Sequence, residues 1–144
     1  MSSHARGNRN NNPGNIRHGG GNWYGLSAKQ TDADFVQFDN VRWGLRAVAR
    51  NLQTYARRKA GDGTPIDTLA EAITRWAPTF ENDTPAYIAF VSKETGFLPD
   101  DIVDLTDPAT LRAMTAAIVK KETSAVFTPD EIEGAVALSF LNAD

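Results

Sequence analysis

The chain has no cysteine, only two histidines and only two methionines in 144 residues. Without thiols there are no disulfides and no thiolate metal sites, and redox arguments favour no compartment. His4 and His18 stand in Gly-, Asn- and Arg-rich surroundings without the i, i+4 spacing of a helical ligand pair, so no metal and no other cofactor is expected. No run approaches the roughly 18 consecutive apolar residues of a membrane span, and residues 1–21 are polar, so neither membrane insertion nor a Sec signal is expected. An excess of positive charge is missing too: 15 Lys and Arg stand against 18 Asp and Glu, and the net charge of -3 gives no general attraction to nucleic acid. The remaining composition, 41% hydrophobic and 23% charged, is that of an ordinary globular protein. Its length fits one domain with one core, so every motif is expected to serve a single site.

The most distinctive stretch is Asn10-Asn11-Asn12-Pro13-Gly14-Asn15-Ile16-Arg17, followed by Asn22-Trp23-Tyr24-Gly25. Amides and aromatic rings grip sugars, but nothing in this stretch can cleave a bond. Residues 1–7 read as a flexible tail and 8–144 as the domain. The Asn/Gly run fits either a disordered leader or a structured loop. Pro13-Gly14 is a strong turn signal, and asparagine tolerates left-handed backbone while bonding nearby peptide groups, which favours the loop. Phe35-Val36-Gln37-Phe38 reads as a short strand paired with Ile16-Arg17 in a small hairpin.

Five helices follow from periodicity and caps. Asp39 or Asn40 opens a long helix with Val41, Leu45, Val48, Leu52 and Tyr55 on its apolar face, running to about Lys59 and ended by Gly61 and Gly63. Its other face carries Arg42, Arg46 and Arg50, with Arg57, Arg58 and Lys59 near the C-terminal end. A solvated face is the expected reading, because no nucleic-acid motif accompanies it. Thr68-x-x-Glu71 is a capping box opening a helix with Leu69, Ile73 and Trp76 inward. Thr84-Pro85 opens the next, which Gly96 stops; Thr106 or Asp107 precedes one beginning at Pro108, and Thr128-x-x-Glu131 caps the last. The fold class expected is mainly α, an α+β single domain of about five helices with a small β-hairpin.

An acid is best sought on the helix from Pro108 to Thr123. Leu111, Met114, Thr115, Ile118 and Val119 fall on one face, and Glu122 projects from that same face. Apolar neighbours and the negative end of the helix dipole both favour its neutral, proton-carrying form. Such a carboxyl is what glycosidic cleavage needs, since the leaving oxygen must receive a proton. The alternative is a frayed helix end with Glu122 in water, paired to Lys120 or Lys121. Between the third and second helices from that point, the connection Trp76–Thr84 holds Glu81, Asn82 and Asp83; Glu81 is a second candidate acid or a substrate contact, and Asp83 reads as an N-cap.

Arg6-Gly7-Asn8-Arg9-Asn10-Asn11-Asn12-Pro13-Gly14-Asn15-Ile16-Arg17, Trp23-Tyr24-Gly25, Asp34 to Phe38, Gly44-Leu45-Arg46-Ala47, Tyr55 and Trp76-Ala77-Pro78 with Glu81 to Tyr87 together resemble a family of small phage and prophage proteins, often described as virion structural proteins. The resemblance covers roughly residues 6 to 123. Asn11 to Arg17, Trp23 to Gly25 and Phe35 to Phe38 are also similar, in order, to segments of bacterial peptidoglycan glucosaminidases of the lysozyme superfamily. In those enzymes a helix ending in a catalytic Glu-Ser comes first. Here Ala117 to Ser124 resembles that helix at the other end of the chain, with Thr123 in place of the serine.

The resemblance implies a circularly permuted, lysozyme-like domain that cleaves peptidoglycan glycan strands as a muramidase or lytic transglycosylase. Glu122 would be the general acid, with Asn12, Asn15, Trp23, Tyr24, Gln37, Glu81, Asn82 and Tyr87 contacting substrate. Such a protein would be made in the cytoplasm without a signal peptide and reach the cell wall through a holin or within a virion, alongside other virion proteins. The rival expectation is a non-catalytic virion or tail component that binds cell wall or serves assembly.

Overall fold

The helix α2, Val41–Tyr55, is the element on which the other parts converge. Asn40, in extended backbone, accepts the Arg42 amide through its side chain and starts it. Leu45, Val48, Leu52 and Tyr55 are buried as the spacing predicts, but Gly44, Ala47 and Ala49 are buried as well, so the helix is covered on several sides. Small residues permit this. At Gly44 a Cβ would overlap the Asn11 carbonyl oxygen, so only glycine lets the N-terminal loop lie directly on α2. The computed structural model describes residues 3–19, 21, 23–57, 63, 65–123 and 125–141. The helix ends at Tyr55 with Ala56 as its C-cap, short of the expected Lys59; Lys59 and Gly61 lie outside the described residues, as do Asn22, Arg58 and Ser124.

The described residues form one mainly helical domain of six helices: α1 Ser3–Arg9, α2, α3 Leu69–Trp76, α4 Thr84–Thr95, α5 Pro108–Thr123 and α6 Pro129–Ser139. Both capping boxes form, Thr68 with Glu71 and Thr128 with Glu131, and Gly96 ends α4 in left-handed backbone. The Asp107 side chain accepts the Ala109 amide at the start of α5. The inward face of α5 is as expected: Leu111, Met114, Thr115, Ile118 and Val119 are all buried. This helix packs against α1, α2, α4 and α6, while α2 also packs against α6.

Three expectations need correction. Residues expected to be a flexible tail belong to α1, held by Arg6, whose guanidinium donates to Asp32 and Asp34, and closed by Asn10, whose amide N–H donates to the Arg6 carbonyl. The small hairpin is absent among the described residues. Arg17 and Phe35, and Leu26 and Phe38, make only isolated antiparallel bridges, because side-chain amides take much of the pairing that a ladder would supply.

The third correction concerns the arginine face of α2. Arg42 is exposed, but Arg46 is 1% and Arg50 8% exposed, beneath the end of α6. Arg46 Nε donates to the Leu138 carbonyl at 3.4 Å and Arg50 Nη1 to that of Ser139 at 3.3 Å. These carbonyls lie in the last turn of a helix, where a cation also meets the negative end of the dipole. Gln53 joins them, donating to Ser139 Oγ at 2.6 Å. The basic face is thus the docking face of α6.

Asp32 ties α1 to the loop that follows it. Its carboxylate accepts from Arg6, from Asn10 Nδ2 and from the Asp34 and Phe35 amides, Arg6 weighing most, and is held far below the usual carboxylate range. A carboxyl depressed in the folded state adds stability above its unfolded value of about 4, and that stability drains away as pH falls toward the folded value. Asp32→Asn is therefore expected to lower the urea midpoint at pH 7 and to flatten its decline between about pH 4 and 2. Midpoints measured across that range check this; a decline as steep as that of the wild type would refute the assignment.

Candidate functional site

The asparagine run folds as a set of side-chain-to-backbone hydrogen bonds. Asn12, 0% exposed, is the centre: Nδ2 donates to the Ile16 and Val36 carbonyls, both at 2.9 Å, and Oδ1 accepts the Ile16 amide at 3.0 Å. One amide thereby pins both the loop and the Phe35–Phe38 segment behind it. Asn11 Nδ2 donates to the Phe38 carbonyl and Asn10 Nδ2 to Asp32. Asn11 and Asn15 take left-handed backbone, with φ of 52° and 48°, which asparagine tolerates better than most side chains.

Asn15 instead turns its amide toward α5. Nδ2 donates to Glu122 Oε1 at 3.1 Å, across 107 residues of sequence. From the other side Tyr87, 3% exposed on α4, donates its hydroxyl to Glu122 Oε2 at 2.8 Å. Burial, then the charge of Glu122, raises the Tyr87 hydroxyl well above the ordinary phenol range, opposed in part by the Trp76 indole, so Tyr87 stays a donor at any working pH. The helix-end alternative for Glu122 does not hold: Lys120 pairs with Glu94 at 2.9 Å, and the Lys121 ammonium lies over the Tyr87 and Phe90 rings. Thr123, the residue after the glutamate, is buried. Its hydroxyl donates to the Val119 carbonyl and accepts the Ala125 amide, which finishes α5.

Glu122 opens into a groove of about 870 Å³, within the range of roughly 300–1,000 Å³ typical of ligand clefts. One wall is the N-terminal loop with Asn15, Arg17 and Trp23. The others are the end of α2, with Asn51, Thr54 and Tyr55, and the α3–α4 connection, with Trp76, Glu81 and Asn82. The Trp23 indole N–H is buried without a partner among the described residues. Arg17 and Glu81 stand 3.9 Å apart with side chains 56% and 44% exposed. Such a pair is worth at most about 1 kcal/mol and yields readily to a ligand.

Of the residues expected to contact substrate, Asn15, Trp23, Glu81 and Asn82 line this groove together with Glu122. The others do different work. Asn12 is spent on backbone. Tyr24 stacks beneath the Arg46 guanidinium, 4.7 Å from its ring centre, and does not line the groove. Gln37 turns the other way: Oε1 accepts from Thr31 and Nε2 donates to Asn10 Oδ1, in a separate depression with Arg6 and Asp32. Tyr87 positions Glu122 and is too buried to meet a sugar. Sequence reading missed Asn51 and Thr54. Their spacing of i and i+3 on α2, polar beside the apolar Leu52 and Tyr55, is the signal that one flank of this helix faces something other than core.

Fold and site define a small helical protein whose buried-sided glutamate is held by neutral donors at the edge of a polar and aromatic groove. No family model matches the chain. It is 40% identical over 133 residues to Protein P5 of Pseudoalteromonas phage PM2, a match spanning 90% of this chain and 78% of that protein. The chain belongs to the family of this phage protein.

Asn12→Leu keeps the side chain close in size but strands the Ile16 amide and the Val36 carbonyl in the interior, while the Ile16 carbonyl keeps the Val36 amide. At about 1–3 kcal/mol for each buried group left unpaired, a loss of about 2 kcal/mol or more is expected. Chemical denaturation measures it. A loss below about 1 kcal/mol would mean that water or a shifted loop replaces these bonds.

Proposed function

We propose that this protein cleaves the glycan strands of peptidoglycan, with Glu122 as the general acid. The observation that carries the reading is the pair of neutral donors, Asn15 and Tyr87, one on each oxygen of a carboxyl that also lines the groove. They fix its orientation at the edge of the groove. In the first step Glu122 delivers its proton to the glycosidic oxygen as the bond to the sugar's anomeric carbon breaks. The carboxylate then accepts a proton, either from water attacking that carbon or from a hydroxyl of the same sugar, which gives hydrolysis or transglycosylation respectively. Trp23 and Asn82 serve as sugar contacts, and Glu81 as a supporting polar group.

The circular permutation implied by the sequence is supported by how α1 meets α5. A Cβ on Gly7 would lie 2.8 Å from Thr123 Cγ2, so the two helices touch next to Glu122. The chain thus enters the asparagine loop from a point beside the end of the glutamate helix, as an unpermuted lysozyme-like chain would enter it from that helix itself. Phage membership agrees with a cell-wall substrate, which phages must breach on entry or exit.

Purified protein incubated with isolated peptidoglycan should release soluble saccharide fragments, and Glu122→Gln should lower the rate by about 10²–10⁴-fold. Asn15→Ala and Tyr87→Phe should each lower it less, because each leaves the acid in place. Ring-closed anhydro ends on the products would identify transglycosylation, free reducing ends hydrolysis. Absence of release by wild type would refute the enzyme and leave a wall-binding virion component; release undiminished in Glu122→Gln would refute the site.

A further inference from the structure

The charge of the groove is opposite to that of the chain. A protein of net charge -3 lines this groove with Arg17, Arg50, Arg57 and Arg75 against Glu81 and Glu122. Two of the four arginines are engaged: Arg50 donates to Gln53 Oε1 and the Ser139 carbonyl, and Arg17 lies over Phe35 and near Glu81. Arg57 and Arg75 are exposed, and among the described residues neither side chain has a hydrogen bond or ion pair. They come from different elements, Arg57 just past the end of α2 and Arg75 in the last turn of α3, and meet on one groove.

A guanidinium presents a planar fork of N–H donors that matches a carboxylate in two-point fashion. Where stem peptides are attached, the lactyl carboxyls of the sugars are tied up as amides, whereas the peptides themselves carry several free carboxylates. We infer that Arg57 and Arg75 form a carboxylate-binding subsite, so that the preferred substrate is a glycan strand still bearing its stem peptides. This inference rests on the glycan-strand reading of the groove. Placement near helix C-terminal ends also favours cations, but that effect acts on stability and is indifferent to what the ligand carries.

The test uses full-length Glu122→Gln protein, which binds without cleaving, and two soluble ligands: peptide-bearing strands, and stripped strands made by removing the peptides with an amidase and capping the lactyl carboxylates this frees as methylamides. Calorimetry is expected to show at least 10-fold tighter binding of the peptide-bearing strands, a preference that shrinks as salt rises. Adding Arg57→Gln and Arg75→Gln should erase the preference while the melting temperature and the weak binding of stripped strands persist. Equal binding of both strands, or a preference that survives the double substitution, overturns the subsite. A short DNA duplex that binds more tightly than either strand overturns it in favour of a phosphate-reading groove. Wild-type cleavage of stripped strands is scored separately: cleavage without preference sinks only the subsite, whereas no cleavage of either strand sinks the glycan-strand reading itself.

Discussion

Everything at the groove depends on three hydrogen bonds made by one buried amide. Besides sharing the Ile16 carbonyl with the Val36 amide, Asn12 satisfies the Ile16 amide and the Val36 carbonyl, which have no other partner among the described residues. Leaving them unpaired would cost about 1–3 kcal/mol each, so this one residue rivals a core leucine, whose truncation costs about 2–5 kcal/mol. The comparison explains why an Asn-rich segment, of a composition common in disordered chains, is ordered here. Its polar groups are consumed internally and by the loop behind it, and the backbone conformations at Asn11 and Asn15 are ones that asparagine tolerates. By contrast the Arg17–Glu81 pair at the groove mouth is exposed and weak. The rigid part of the wall is neutral and buried, and the charged part is the part that can yield.

That rigid loop matters because it presents Asn15 to a glutamate 107 residues away. Glu122 comes from the end of a helix whose apolar face is fully buried, and Tyr87 from a helix packed against it. Three elements therefore meet at one carboxyl, and none of the three can shift without the others. The donors are neutral, which sets this carboxylate apart from Asp32. There Arg6 supplies a full charge, and the carboxyl is locked ionised as a structural anchor. Asp32 is thus locked by a full charge, whereas Glu122 is oriented by two neutral donors.

Most of the helices were legible in the sequence because their signals are local. Caps at Asn40, Thr68, Asp83 and Thr128 act within four residues, and the faces of α2 and α5 follow from spacing alone. Convergence of Asn15 and Glu122 on one groove was legible too, through likeness to the order of segments in another family. The errors share a cause. α1 lacks an apolar stripe, and it is held by Arg6 on Asp32, a long-range contact that no local pattern announces. Asn12, Gln37 and Tyr24 were grouped with Asn15 because they have suitable chemistry, yet burial and competing partners decide which amide or ring is left over for a ligand. Arg46 and Arg50 looked like a solvated face because the end of α6, which they cap, lies about ninety residues on.

The contact between α1 and α5 links the fold to the site most tightly. Gly7 carries no side chain at the place where a Cβ would press on Thr123 Cγ2 at 2.8 Å and on Asn15 Oδ1 at 3.1 Å. Those two residues are the neighbour of Glu122 in sequence and its hydrogen-bond donor in space. The approach of α1 thus sets the separation between loop and acid, and the Arg6–Asp32 anchor, one residue away, sets the approach of α1. A segment that seems peripheral by sequence position closes the back of the site. Glycine at residue 7 is required there by distance, with helical backbone and no need for a left-handed turn, so the constraint is steric and comes entirely from residues far along the chain.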